Sequence, residues 1–141
     1  MEKNIKVLIV DDEKHVRMII AAYFAAYNVD VIEAGDGEEA LEKMKAEEPD
    51  LVILDYYMPK MGGETVIKFV LKDEKLVKIP LILYTVGKFD DEKDEWLKRT
   101  THAFLNKANV GEDLMPTVKE IMGDRLIKAE DTDSEEDKDT L

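Results

Sequence analysis

Apolar residues recur along this chain in two alternating rhythms. Lys6 to Val10 is a nearly unbroken β-branched run, the pattern of a strand covered on both faces. Val16, Ile19, Ile20, Tyr23 and Tyr27 then recur at helical spacing, which predicts a first helix over about Lys14–Tyr27. Val29–Ile32 reads as a short second strand. A second helix opens at Asp36, with Glu39 three residues on to complete a capping box and Ala40, Leu41 and Met44 as its apolar face. Pro49 marks the following loop, and Leu51–Leu54 is a third buried strand. Gly62 and Gly63 break the chain before a third helix carrying Val66, Ile67 and Val70, and Pro80 introduces a fourth strand, Leu81–Tyr84. A strongly charged fourth helix is expected over Lys88–Arg99, with Phe89, Trp96 and Leu97 inward. Ala103–Asn106 is the fifth strand, and Leu114, Val118, Ile121 and Met122 line the last helix. That helix is started near Glu112, so that Pro116 falls in the first turn, where amides have no helical partner.

Strands alternating with helices five times imply an α/β fold with a parallel sheet covered on both faces. At 141 residues this is one domain, with no internal repeat. A body over 1–123 is followed by an acidic tail or linker over 124–141 with few apolar residues.

Charge narrows the function. The chain carries −13, and its last eighteen residues, with eight acids against three bases, hold −5 of that. Such a surface repels a phosphate backbone and has no Lys/Arg stripe to offset it, so direct nucleic-acid binding is not expected. There is no cysteine, which removes disulfides and thiolate metal sites and suits a reducing cytoplasm. The apolar run Ile5–Val10 is too short for a signal peptide or a membrane span, so a cytoplasmic protein without membrane attachment is expected.

In a doubly wound sheet, ligands bind beyond the carboxyl ends of the strands, where the strand order reverses. Asp11 and Asp12 follow the first strand, Asp55 the third, Thr85 the fourth and Lys107 the fifth. Each alone has an ordinary explanation: a helix cap, a turn residue, a strand residue, a solvated lysine. Together they place reactive groups on one rim. Three crowded carboxylates repel one another unless a cation intervenes, and Mg²⁺ is the oxygen-seeking ion that takes one or two carboxylates while keeping several waters. With Lys107 opposite, such a cluster is suited to the dispersed charge of a phosphoryl group in transfer, and an Asp carboxylate can accept that group as an acyl phosphate.

These residues resemble a known family. Val-Leu-Ile-Val-Asp11-Asp12-Glu, Leu-Val-Ile-Leu-Asp55-Tyr-Tyr57-Met58-Pro59-Lys-Met-Gly-Gly63, Leu-Ile-Leu-Tyr-Thr85 and Ala-Phe104-Leu-Asn-Lys107 are similar in order and spacing to the receiver domain of two-component response regulators, over about residues 4–123. The resemblance implies a flavodoxin-like sheet of order 2-1-3-4-5 with five helices. It implies Asp55 as phosphoacceptor from a sensor histidine kinase or a phosphotransfer protein. Mg²⁺ would be held by Asp11, Asp12, Asp55 and the backbone carbonyl of Tyr57. Lys107 would pair with the phosphoryl oxygens, Thr85 would turn inward to them, and Phe104 would follow. The signal would reach an unnamed downstream protein through the face of the fourth helix, fifth strand and fifth helix. The chain would act as a self-phosphorylating and self-dephosphorylating switch, with no separate substrate turned over.

Three positions depart from the family pattern: Ala108 replaces the usual Pro after the lysine, Val86 replaces a small residue after the threonine, and Arg99-Thr100-Thr101 replaces Ala-Gly-Ala. With Ala108 in that place, the Lys107–Ala108 bond is expected to be trans. Two other functions use similar groups. A haloacid-dehalogenase-like phosphohydrolase needs a second Asp two residues past the nucleophile, where Tyr57 stands. A degenerate receiver would bind partners without phosphorylation, whereas all five chemical groups are present here. His15 reads as a surface residue, His102 has no partner for a metal site, and Trp96 reads as a partly buried anchor of the fourth helix.

Overall fold

The computed structural model describes residues 4–129. Strands β1 (Ile5–Val10), β2 (Val29–Ala34), β3 (Leu51–Asp55), β4 (Leu81–Thr85) and β5 (Ala103–Asn106) alternate with helices α1 (Lys14–Tyr23), α2 (Gly37–Glu47), α3 (Gly63–Leu71), α4 (Asp91–Thr100) and α5 (Val110–Met122). All strand pairs are parallel, and the sheet order is β2-β1-β3-β4-β5, as expected.

Strand alternation sorts the core into two layers. Leu8, Val10, Val52, Leu54, Leu81 and Leu83 face α2, α3 and α4, where Ala40, Met44, Val66, Ile67 and Leu97 meet them. Ile5, Val7, Ile9, Leu51, Ile53, Ile82 and Tyr84 face α1 and α5, against Ile20, Phe24, Leu114 and Val118. Helices cover both faces, so the central strands need apolar side chains at every position. This is why they read as unbroken runs rather than alternating ones.

Helix α1 departs from its predicted extent and face. It ends at Tyr23, and the chain continues to Tyr27 through tight turns, with the Phe24 amide donating to Ala21 O and the Tyr27 amide to Phe24 O. Phe24 is fully buried, whereas Ile19 is 54% exposed. The inward stripe steps by four through Val16, Ile20 and Phe24, leaving Ile19 a quarter-turn off the sheet.

The cap of α2 forms as predicted on one side only. Asp36 Oδ1 accepts from the Glu39 amide at 2.8 Å, but Glu39 Oε2 accepts from the Gly35 amide at 3.2 Å rather than from the Asp36 amide. Helix α4 starts at Asp91, capped by Asp90, so Phe89 lies in the loop before it while still packing on the core. Helix α5 begins at Val110 rather than near Glu112, which puts Pro116 in its interior. Pro116 and Glu112 are both exposed, so water can reach the carbonyl that a proline amide leaves without a partner.

Ordered structure also runs past the boundary expected at 123. Leu126 packs on the α1/α5 layer, and Asn28 and Ile127 exchange hydrogen bonds: the Asn28 amide to Ile127 O at 3.0 Å, the Ile127 amide to Asn28 Oδ1 at 2.6 Å. Arg125 pairs with Asp50 at 2.7 Å. The rest of the expected tail, 130–141, lies outside the described residues. No helix among the described residues is long and apolar enough to cross a membrane.

Candidate functional site

Register brings the strand ends together. Val10 of β1 lies beside Leu54 of β3, so Asp11 and Asp55 emerge side by side where the order reverses. Asp55 lies beside Tyr84 on β4, and Thr85 beside Asn106 on β5, next to Lys107. Apart from Tyr84, the only buried polar or charged side chains among the described residues are Asp11, Asp55 and Thr85, and all three stand on this rim. Asp12 is exposed, yet Asp11, Asp12 and Asp55 offer carboxylate oxygens that lie within 4.8 Å of one another.

Lys107 closes the cluster. Its Nζ lies 3.1 Å from Asp55 Oδ2 and 3.2 Å from Asp11 Oδ2. Asp11 is held from both sides: Oδ1 accepts from the Glu13 amide at 2.8 Å, and Oδ2 accepts from the Tyr84 hydroxyl at 2.6 Å. Asp55 Oδ1 accepts from the Tyr57 amide at 3.3 Å. Arg17 ties the β1–α1 turn down, donating to Asp11 O at 2.5 Å and to Glu33 Oε1 at 2.9 Å.

The electrostatics follow from burial. Burial first, then the charge of Asp11, push the Asp55 carboxyl up from 3.8 to about 6, against the pull of Lys107. Burial alone would lower Lys107, but Asp55 and Asp11 outweigh it and hold its ammonium above the ordinary value. Burial, then the bond to Asp11 and the surrounding carboxylates, raise the Tyr84 hydroxyl, so it stays a donor. One ammonium against three carboxylates leaves the cluster with surplus negative charge. A hard divalent cation fits that donor set of oxygens.

The β3–α3 turn is built around close approach. A Cβ on Gly63 would come within 2.6 Å of Asp55 O, and the Gly63 amide donates to Tyr56 O at 2.8 Å. Only glycine lets α3 start against the backbone of the loop that follows Asp55. Over that loop lies an aromatic row: Tyr56 and Tyr57 edge to face at 4.8 Å, Tyr57 stacked on Phe89 at 6.2 Å, and Phe89 against Phe104 at 6.0 Å.

Thr85 and Phe104 lie on the α4 side of the sheet, opposite in facing to Asp11, Asp55 and Tyr84. The Thr85 hydroxyl donates to Val86 O at 3.2 Å rather than to the acids. Val86 is 55% exposed and so lies outside the cluster. Lys107–Ala108 is trans, and the Ala108 amide donates to Asn106 Oδ1 at 2.9 Å as the chain turns into α5. Thr100 and Thr101 hydroxyls bond back to Trp96 O and Leu97 O at the end of α4. His15 pairs with Glu13 at the surface, and His102 Nδ1 accepts from the Leu81 amide.

This geometry agrees with the family comparisons. The family model described as the response regulator receiver domain matches residues 7–119. The chain belongs to that family. This receiver domain is 32% identical over 135 residues to the alkaline phosphatase synthesis transcriptional regulatory protein PhoP of Bacillus subtilis, spanning 96% of this chain and 55% of that protein. It is also 32% identical over 126 residues to a protein-glutamate methylesterase/protein-glutamine glutaminase of Methanosarcina mazei, of which it spans 34%. The chain therefore spans about half or less of these relatives. Among solved structures, the receiver domain of the Francisella response regulator 1452 superposes with a TM-score of 0.74 at 28% identity, over 84% of this chain and 96% of that one. The chemotaxis protein CheY4 of Vibrio cholerae gives 0.72 at 28% identity, over 84% and 98%. Receiver domains are the phosphorylation switches of two-component signalling.

Sequence reading missed Tyr84 and Arg17, and it placed Phe89 inward but on the fourth helix rather than in the loop before it. Tyr84 looked like one more apolar residue of a buried strand. Its signal was available: by alternation it shares a sheet face with Asp11 and Asp55, and a buried tyrosine needs a partner for its hydroxyl.

Proposed function

We propose that this receiver accepts a phosphoryl group on Asp55 and uses it to switch a protein-binding face. The supporting observation is the buried Asp55 carboxylate, bridged by Lys107 to Asp11 at the point where strand order reverses. Asp55 attacks the phosphorus of a phosphohistidine on a sensor kinase or phosphotransfer protein. The new P–O bond forms as the P–N bond breaks, and the imidazole leaves. Asp11, Asp12, Asp55 and the Tyr57 carbonyl would hold Mg²⁺, which supplies positive charge for the transferring phosphoryl oxygens. Lys107 stays within reach of those oxygens because its ammonium already lies 3.1 Å from Asp55.

Thr85 exchanges its bond to Val86 O for one to the phosphoryl group, and Phe104 turns inward on the same face of the sheet. Phe104 also contacts Phe89, so the rearrangement reaches the loop that leads into α4. The partner then reads the altered α4–β5–α5 face.

The test is amide NMR with trifluoroberyllate, a mimic of the acyl phosphate, in the presence of Mg²⁺. Shifts spreading from Asp55 to Thr85, Phe104 and α4–β5–α5 are expected. Shifts confined to the strand ends would contradict the switch.

A further inference from the structure

Tyr84 touches both an acid of the cluster, Asp11, and the lysine that bridges it to Asp55. It is 1% exposed and lies on the α1/α5 face of the sheet, as the alternation of β4 dictates. Its ring spans the end of β3 to reach Asp11 on β1. The hydroxyl donates to Asp11 Oδ2 at 2.6 Å, with Val10 O further off at 3.4 Å. The ring face lies under Lys107, whose Nζ is 5.0 Å from the centroid. Among the described residues no backbone amide holds Asp11 Oδ2: the Glu13 amide takes Oδ1, and Oδ2 has the Tyr84 hydroxyl and the Lys107 ammonium.

Those contacts divide the work on one carboxylate. With only Lys107 on Oδ2, the Asp11 carboxylate would rotate with any movement of the ammonium, which Asp55 also holds. The hydroxyl is a fixed neutral donor that opposes this rotation. The Tyr84 ring is packed into the α1/α5 layer of the core, which holds the hydroxyl in place. The ring beneath Lys107 adds a cation–π contact that limits where the ammonium can go.

We propose that Tyr84 is a positioning residue of the phosphorylation site, orienting Asp11 for the metal through its hydroxyl and Lys107 for the phosphoryl group through its ring. This rests on the reading of the acidic cluster as a Mg²⁺-dependent phosphoacceptor site. Partners of this kind, behind a metal ligand, typically carry 10- to 100-fold of metal affinity.

Two substitutions separate the contacts. Tyr84→Phe keeps the ring and loses the hydroxyl; Tyr84→Leu loses both. Isothermal titration calorimetry with Mg²⁺ alone reads the first contact without any phosphorylation. Tyr84→Phe is expected to weaken Mg²⁺ binding by about tenfold. Phosphorylation by acetyl phosphate at saturating Mg²⁺ reads the second, and Tyr84→Leu is expected to be slower there than Tyr84→Phe.

A double-mutant cycle guards against a merely structural effect. If Tyr84 acts through Asp11, then Tyr84→Phe made on top of Asp11→Asn adds no further loss of Mg²⁺ affinity. Additive losses would overturn the proposal, as would a Tyr84→Phe protein binding Mg²⁺ within twofold of wild type. A wild-type chain that takes up no Mg²⁺ at all would instead overturn the reading of the cluster itself.

Discussion

Asp55 is an acid kept in a place that disfavours its charge. Its carboxyl rises from 3.8 to about 6, through burial and then the nearby Asp11. The folded chain therefore holds a proton there more tightly than the unfolded one. The resulting stability is fully present below about pH 4 and is lost as pH rises through about 6. At pH 7, without metal, the ionised carboxylate costs at most about 3 kcal/mol. Asp55→Asn should accordingly be more stable than wild type in urea at pH 7 with a chelator present, and the difference should shrink toward pH 4. A destabilised Asn variant at pH 7 would contradict this. Tyr57 carries a second prediction. Tyr57 is 55% exposed, but its ring stacks on Phe89 beside the loop after Asp55, where it can exclude the water that would hydrolyse an acyl phosphate. Tyr57→Asn should shorten the lifetime of the phosphorylated protein severalfold, measured by loss of label after the donor is removed; equal lifetimes would remove the basis for the idea. The strand-end residues Asp11, Asp12, Asp55, Thr85 and Lys107 were legible in sequence, because the end of an apolar run marks the rim. Tyr84 is harder to read, because it passes for one more apolar residue of a buried strand and its partner lies two strands away.

At the scale of elements, strands read more clearly than helices. β5 has its predicted bounds, and β2, β3 and β4 differ only at their carboxyl ends. A run buried on both faces leaves little choice of register. Helix faces are harder, because neighbouring apolar positions compete for the sheet. In α1 the sequence offers Met18, Ile19 and Ile20 in a row, and only packing decides that Ile20 is inside. The contrast can be measured. Ile20→Ala should cost roughly 2–5 kcal/mol, while Ile19→Ala should stay within about 0.5 kcal/mol, both by urea denaturation. Similar costs at the two positions would mean that α1 is rotated from the orientation seen here. The start of α5 was misplaced for a related reason. Backbone grounds alone favour proline in the first turn, whereas an exposed helix face tolerates Pro116 further in.

For the whole molecule, the decisive feature is the strand order. It brings the carboxyl ends of β1 and β3 together, buries two acids side by side, and leaves Lys107 from the last strand to bridge them. The alternation of strands and helices was legible, but the docking of Leu126 and Ile127 beyond α5 was not. Those two apolar residues sit among charges, and the Asn28 partner that holds Ile127 is remote in sequence. The account as a whole depends on one carboxylate. Incubation of the full chain with acetyl phosphate and Mg²⁺, followed by mass spectrometry of its peptides, tests it most directly. The account predicts a single phosphoryl group on the peptide carrying Asp55, none when the metal is chelated, and none in Asp55→Asn. Phosphorylation of the Asp55→Asn chain at the wild-type rate would contradict it.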